Sequence, residues 1–268
     1  MTHPRDIAPI SIAVGGIAGF SDLADPANSA ALRKLGGTML YIHDYVWTRT
    51  SVAKRRAILA NFDGPADVEF GLVTDAKGWF DSVYQDDYLA LGVRGQRGHV
   101  NVLARNLQSD WRPFVDAARA RGFLSLAPIL APNQGEYRTA PFQDLRWQPY
   151  RDAARYGGAL TIDAPVDLFL SQPSAYRIFV ETELRWARAE HLHTAFILSP
   201  GNAAWHFEAE TIAVADQLRA AGTLPDEFIV ETYEGGRQGY PNRVGNDTDP
   251  QSITGTARLL ALHLRGQN

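Results

Sequence analysis

Eight short runs of apolar and β-branched residues recur along the chain, and each is followed by a stretch whose apolar residues return at helical spacing. The runs are Ile10 to Val14, Met39 to Tyr45, Val68 to Val73, His99 to Leu103, Phe123 to Leu130, Ala159 to Asp163, Ala195 to Leu198 and Phe228 to Thr232. Helical spacing follows at Asn28 to Leu35, Ser51 to Asn61, Ser82 to Leu91, Trp111 to Arg121, Pro149 to Tyr156, Ala175 to Glu190, Glu208 to Ala221 and Ser252 to Leu264. Gly36, Gly122 and Gly222 close three of these stretches, as expected where a helix ends in a left-handed turn. Strands alternating with helices imply parallel strands joined by crossovers. Eight such units in 268 residues predict an α/β fold, a single (β/α)8 barrel of the TIM type with elaborated βα loops.

An open doubly wound sheet is the rival topology. It would normally carry a phosphate-binding glycine fingerprint after its first strand. The turn here reads Val14-Gly15-Gly16-Ile17-Ala18-Gly19-Phe20, without the G-x-G-x-x-G register. No proline-, serine- or charge-rich linker divides the chain, so one domain over residues 1–268 is the simpler organisation.

Composition then removes whole classes of chemistry. Hydrophobic residues make up 45% of the chain and charged residues 21%, enough apolar material for a sizeable core. The net charge is −4 and no basic run is present, which argues against a nucleic-acid partner. With no cysteine there is no disulfide, thiolate metal site, iron–sulfur cluster or cysteine nucleophile. The only lysines are Lys34, Lys54 and Lys77, and none ends the sixth run, which disfavours Schiff-base chemistry. No apolar run approaches the ~18 residues of a membrane span. The start, Met1-Thr-His-Pro-Arg-Asp, is not that of an export signal. The chain is therefore expected to be soluble, either cytoplasmic or exported after removal of a leader.

In a barrel of this type the chemistry gathers at the C-terminal ends of the strands. Three carboxylates fall at such ends. Glu231 is embedded in Phe228-Ile229-Val230-Glu231-Thr232-Tyr233, where burial would raise a carboxyl pKa and suit a general acid. A structural pair with an arginine such as Arg105 would equally account for it. Asp163 follows Leu160-Thr161-Ile162, with capping of the loop backbone as its alternative role, and Asp44 follows Tyr41-Ile42-His43. Polar residues expected nearby are His43, Arg105, Asn106, Glu136, Asn202 and Tyr233; His43 is equally a candidate for a satisfied core imidazole. Trp47, Trp79 and Trp205 lie in predicted βα loops, with Phe20, Tyr137, Trp147 and Tyr240 in similar places. Several rim aromatics suggest a flat apolar platform for a sugar ring, although each alone could simply seal a loop onto the barrel.

The loop from Glu234 to Asp249 has no periodicity and is long for a connection, as functional loops often are. Asp247 and Asp249 lack the glycine and terminal glutamate of a calcium loop and read as turn and cap residues. Neither G-x-S-x-G nor H-E-x-x-H occurs.

By architecture and composition, over nearly its whole length, the chain resembles barrel glycoside hydrolases in the broad sense. In the largest clan of that group the acid/base follows an asparagine after strand four and the nucleophile ends strand seven. The corresponding segments here are Ala104-Arg105-Asn106-Leu107 and Leu198-Ser199-Pro200-Gly201, without a carboxylate. The resemblance therefore implies a carbohydrate hydrolase whose carboxylates come from other strands: Glu231 with Asp163 or Asp44, no cofactor, and a carbohydrate as partner. Arg105, Asn106 and His43 would bind hydroxyls and the tryptophans would stack on the sugar. Two alternatives stand beside it. One is a metal-dependent isomerase or phosphoesterase with Glu136, Asp163, Glu231 and His43 as ligands. The other is a non-catalytic glycan-binding barrel.

Overall fold

The computed structural model describes residues 10–15, 17–28, 30, 39–43, 49–61, 69–75, 93–99, 111–120, 125–130, 132, 140–200, 206–233, 244–245, 248–249 and 252–267. Eight strands run through them: β1 Ile10–Gly15, β2 Met39–His43, β3 Glu69–Asp75, β4 Val93–His99, β5 Ser125–Leu130, β6 Ala159–Pro165, β7 His193–Ser199 and β8 Glu227–Tyr233. All neighbours pair in parallel and β8 returns to β1, so the sheet closes in chain order. The expected (β/α)8 barrel is the observed fold. The described helices are α1 Ile17–Asp22, α2 Val52–Ala60, α3 Arg112–Ala120, α4 Gln148–Gly157, α5 Val166–Ser171, α6 Arg177–Ala189, α7 Phe207–Ala220 and α8 Ile253–Leu264.

Side chains alternate across each strand, and the barrel turns that alternation into two cores. Ile10, Ile12, Leu160, Ile162, Phe196, Leu198, Phe228 and Val230 belong to the larger cluster, which also takes in the helices. Residues of the opposite parity, Tyr41, Ile129, Ala195, Ile197 and Ile229, form a separate small cluster inside the barrel. Each fully buried branched side chain contributes about 1.5–3 kcal/mol. This double burial explains why β6 to β8 read as continuous apolar runs. Towards the N-terminal mouth the interior narrows to Ser11, Ala127, Ala159 and Ala195, all buried. There the Tyr41 hydroxyl donates to Glu227 Oε2 at 3.3 Å, and His193 Nε2 stands 3.8 Å from the same oxygen. Asp226 clamps this end, accepting from the backbone N–H and hydroxyl of Thr194, both at 2.8 Å.

Two strands depart from the sequence expectation. The fourth strand is Val93–His99, not His99 to Leu103. Its sequence, VRGQRGH, has two glycines and no alternation, so β propensity does not mark it; closure of the barrel, supplying partners on both edges, makes it a strand. The second strand ends at His43, two residues short of Tyr45. On α6, Ile178 is 55% exposed, while the buried stripe is Phe179, Val180, Glu183, Leu184 and Ala187. The helical repeat thus carries a glutamate inward. A short extra helix, α5, follows β6 directly, beginning just after Pro165.

Two of the expected rim aromatics are core residues. Phe20 is fully buried, and Trp147 is 1% exposed between Tyr150 and Phe179, with ring centroids 5.0 and 5.1 Å away. Its indole N–H donates to the Ala140 carbonyl at 3.1 Å. Both residues seal helices onto the barrel.

Candidate functional site

The strand register fixes which residues share a level. From His99 the partners run to Ile129, Thr161, Ala195 and Glu227, which lies four residues before Glu231 after four strand steps. A level path around a tilted barrel of shear eight must advance one residue per strand, so alternate strands supply each layer of four. Starting at His99, two strands on from Ile129 and Thr161, the level position is Asp163. Asp163 pairs with Ile197 and Ile197 with Ile229, so the next member is Glu231. Glu231 pairs with Ala13 and Ala13 with Tyr41, which gives His43. His43 pairs with Val73 and Val73 with Arg97, and the path closes on His99. His43, His99, Asp163 and Glu231 are therefore the four backbone positions of one ring, at the C-terminal ends of β2, β4, β6 and β8.

The two carboxylates of this ring are buried, Asp163 being 8% exposed and Glu231 3%. Ser199 ends β7, the strand between them, and its hydroxyl donates to Asp163 Oδ1 at 2.8 Å. Two residues before Asp163, the fully buried hydroxyl of Thr161 has no hydrogen-bond partner, nor has that of Ser11 on β1. Unpaired buried hydroxyls are uncommon and mark places where water or a polar ligand atom can be accepted. Backbones two strands apart lie about 9–10 Å from one another.

Of the residues expected at the site, Asp163 and Glu231 are brought to one level. His43 and Tyr233 are the last residues of β2 and β8, with Tyr233 beside Gly15. Asp44, Trp47, Trp79, Arg105, Asn106, Glu136, Asn202 and Trp205 lie outside the described residues. β4 ends at His99, so the strand end that the sequence placed at Leu103 is not where the described strand stops. His99 was missed for the same reason. Read as the first residue of a strand it belongs at the bottom of the barrel; as the last it belongs at the mouth. Ser199 stood in view just after the seventh run, but its bond to Asp163 depends on strand pairing.

A second pair of carboxylates lies behind the rim. Glu210 is in the first turn of α7 and Asp167 in the first turn of α5. Burial, and then the charge of Asp167, push the Glu210 carboxyl above its ordinary value. On the outer wall Phe142, Gln143, Arg151, Thr182, Arg185 and Trp186 line an open hollow of about 490 Å³, away from the strand ends.

No family model matches the chain, and no curated protein does. Among solved structures it is similar to TrpF from Jonesia denitrificans, with 13% identity and a TM-score of 0.51 over 97% of this chain and 98% of that one. KGPDC from Streptococcus mutans, in complex with D-R5P, gives 10% identity and a TM-score of 0.55 over 97% and 98%. D-psicose 3-epimerase from Clostridium cellulolyticum H10, with D-tagatose, gives 14% and 0.54 over 97% and 98%. At such identities the similarity establishes the fold alone: the chain is a (β/α)8 barrel. None of the three is named as a glycoside hydrolase, so the hydrolase resemblance gains no support from them.

Proposed function

We propose that the protein is an enzyme acting on a sugar or sugar-derived substrate at the C-terminal mouth of the barrel, with Asp163 and Glu231 as its reacting carboxylates. The observation that carries this reading is their placement: two buried carboxylates on one ring, with one strand between them, at the end of the barrel where such folds do their chemistry. Ser199 holds Asp163 in place as an acceptor. A carboxyl pair of this kind can protonate a leaving oxygen and assist attack at the anomeric carbon. A separation of roughly 5.5 Å gives retention, and one of about 6.5–9.5 Å admits a water and gives inversion. Trp47, Trp79 and Trp205 would supply stacking surfaces and Arg105, Asn106, Asn202, Glu136 and Tyr233 hydrogen bonds; Asp44, next to the ring, is the reserve carboxylate.

A second reading uses the same two residues as metal ligands for isomerisation or phosphoester chemistry. The other two ring positions, both histidines, favour it. The two similar structures that hold D-R5P and D-tagatose are consistent with a small sugar as substrate. Assaying glycosides, free sugars and sugar phosphates with and without EDTA separates the readings. Glycoside cleavage indifferent to EDTA supports the hydrolase. EDTA-sensitive interconversion of free or phosphorylated sugars supports the isomerase, and EDTA-sensitive release of inorganic phosphate the phosphoesterase. Binding of glycans without any turnover would overturn both.

A further inference from the structure

We infer that the hollow between α4 and α6 is a second binding site, for a small molecule that joins a carboxylate or phosphate group to an aromatic or apolar ring. It lies on the outer wall of the barrel and is independent of the reaction at the mouth.

The charge of the hollow belongs to Arg151, which lines it and yet is only 7% exposed. Its guanidinium donates to two neutral acceptors, the Phe142 carbonyl and Gln148 Oε1, and the fork has further N–H donors to offer. Among the described residues it makes no ion pair with a carboxylate. Each neighbouring acid has its own arginine: Asp144 accepts from Arg146, Asp152 and Glu190 from Arg155, and Glu181 from Arg185. Burial, and then the charge of Arg155, lower the Arg151 pKa. A buried cation without a counter-charge is costly, and the Phe142 ring, with its centroid 5.6 Å away, offsets only part of that cost. An anion in the hollow supplies the missing charge, and the guanidinium fork suits a carboxylate or phosphate. Arg185 brings a second, 54% exposed guanidinium to the same lining.

The ring of the ligand follows from the rest of the lining. Phe142 and Trp186 meet edge to face with centroids 5.4 Å apart, and Phe142 packs on Phe179 at 5.5 Å, so this apolar wall is fixed before a ligand arrives. A volume of about 490 Å³ falls within the roughly 300–1,000 Å³ usual for small-molecule sites. A bare ion would leave most of it empty.

Calorimetric titration of the full chain with phenyl phosphate and phenylacetate, beside inorganic phosphate and benzyl alcohol, tests the site. At least one ring-bearing anion should bind at one equivalent, about tenfold or more tighter than the ringless anion and the neutral alcohol. Which of the two binds tighter separates phosphate from carboxylate. Arg151→Met keeps the aliphatic stem, removes the charge and should weaken binding by about tenfold or more. Because Arg151 also holds the Phe142 carbonyl, circular dichroism checks that the barrel is intact, and a second variant leaves that bond alone. Gln143→Glu, at an exposed position of the lining, adds a like charge to the ligand's and should weaken binding by about two- to fivefold. Glu231→Gln, at the mouth, should leave binding unchanged. No saturable binding of either ring-bearing anion at millimolar concentration overturns the inference. So does affinity that is unchanged in both Arg151→Met and Gln143→Glu, or that is lost in Glu231→Gln instead. Equal affinity for benzyl alcohol would overturn the anion, and equal affinity for inorganic phosphate the ring.

Discussion

Gly245 has φ near 62°, and a Cβ there would lie 2.3 Å from Ser252 Cβ. Ser252 caps α8 by accepting from the Gly255 N–H at 2.9 Å, and the neighbouring Val244 N–H donates to Asp22 Oδ2 at 3.3 Å. Gly245→Ala therefore strains the backbone and displaces the cap together, and should cost about 2 kcal/mol or more in denaturant midpoint. Glu183 shows the opposite case, a residue whose removal helps. It is fully buried on α6, both carboxyl oxygens lack a hydrogen-bond partner, and burial pushes its pKa well above the ordinary 4.5. With the folded value raised, the stability it contributes is whole below about 4.5 and is lost as pH rises towards the folded value. Glu183→Leu should stabilise the fold by about 1–3 kcal/mol at neutral pH. Urea titrations at pH 5 and pH 8 check this, and the gain should be larger at pH 8. Neither residue was legible in advance. Glu183 sits among Arg and Glu that belong to the outer face of the same helix, and the clash at Gly245 involves a neighbour seven positions away.

Elements were legible where local preference and tertiary context agreed. The strands β1 and β5 to β8 follow their β-branched runs to within two residues at each end, because burial on both faces demands the composition that propensity recognises. The helices α3, α4, α6, α7 and α8 follow apolar periodicity in the same way. β4 was misplaced because its partners, not its residues, determine it, and with it went the strand-end position of His99. The aromatic seal between α4 and α6 was legible as aromatic but not as buried. There Phe142, Trp147, Tyr150, Phe179 and Trp186 pack with centroid separations of 5.0 to 6.3 Å, and Arg151 donates to the Phe142 carbonyl. Trp147→Ala should destabilise the protein by about 3–5 kcal/mol, read as a shift in unfolding midpoint. A rim tryptophan that only stacked on a sugar would lower affinity and leave the midpoint alone.

At the scale of the whole molecule the barrel brings separate strand ends to one level. Asp163 and Glu231 lie 68 residues apart in the chain, and each carried its alternative structural role in the sequence; level placement on β6 and β8 is what makes them a pair. Closure of the sheet also explains the division of labour between its mouths. The lower end is held by Tyr41, Glu227, Thr194 and Asp226, and the upper end carries the ring. The account rests on that ring, and initial rates of wild type and Glu231→Gln over a panel of glycosides, free sugars and sugar phosphates test it most directly. Turnover by the wild type that falls by about 10²–10⁴-fold in a variant with unchanged circular dichroism is the predicted result. Equal rates in the two proteins would contradict it.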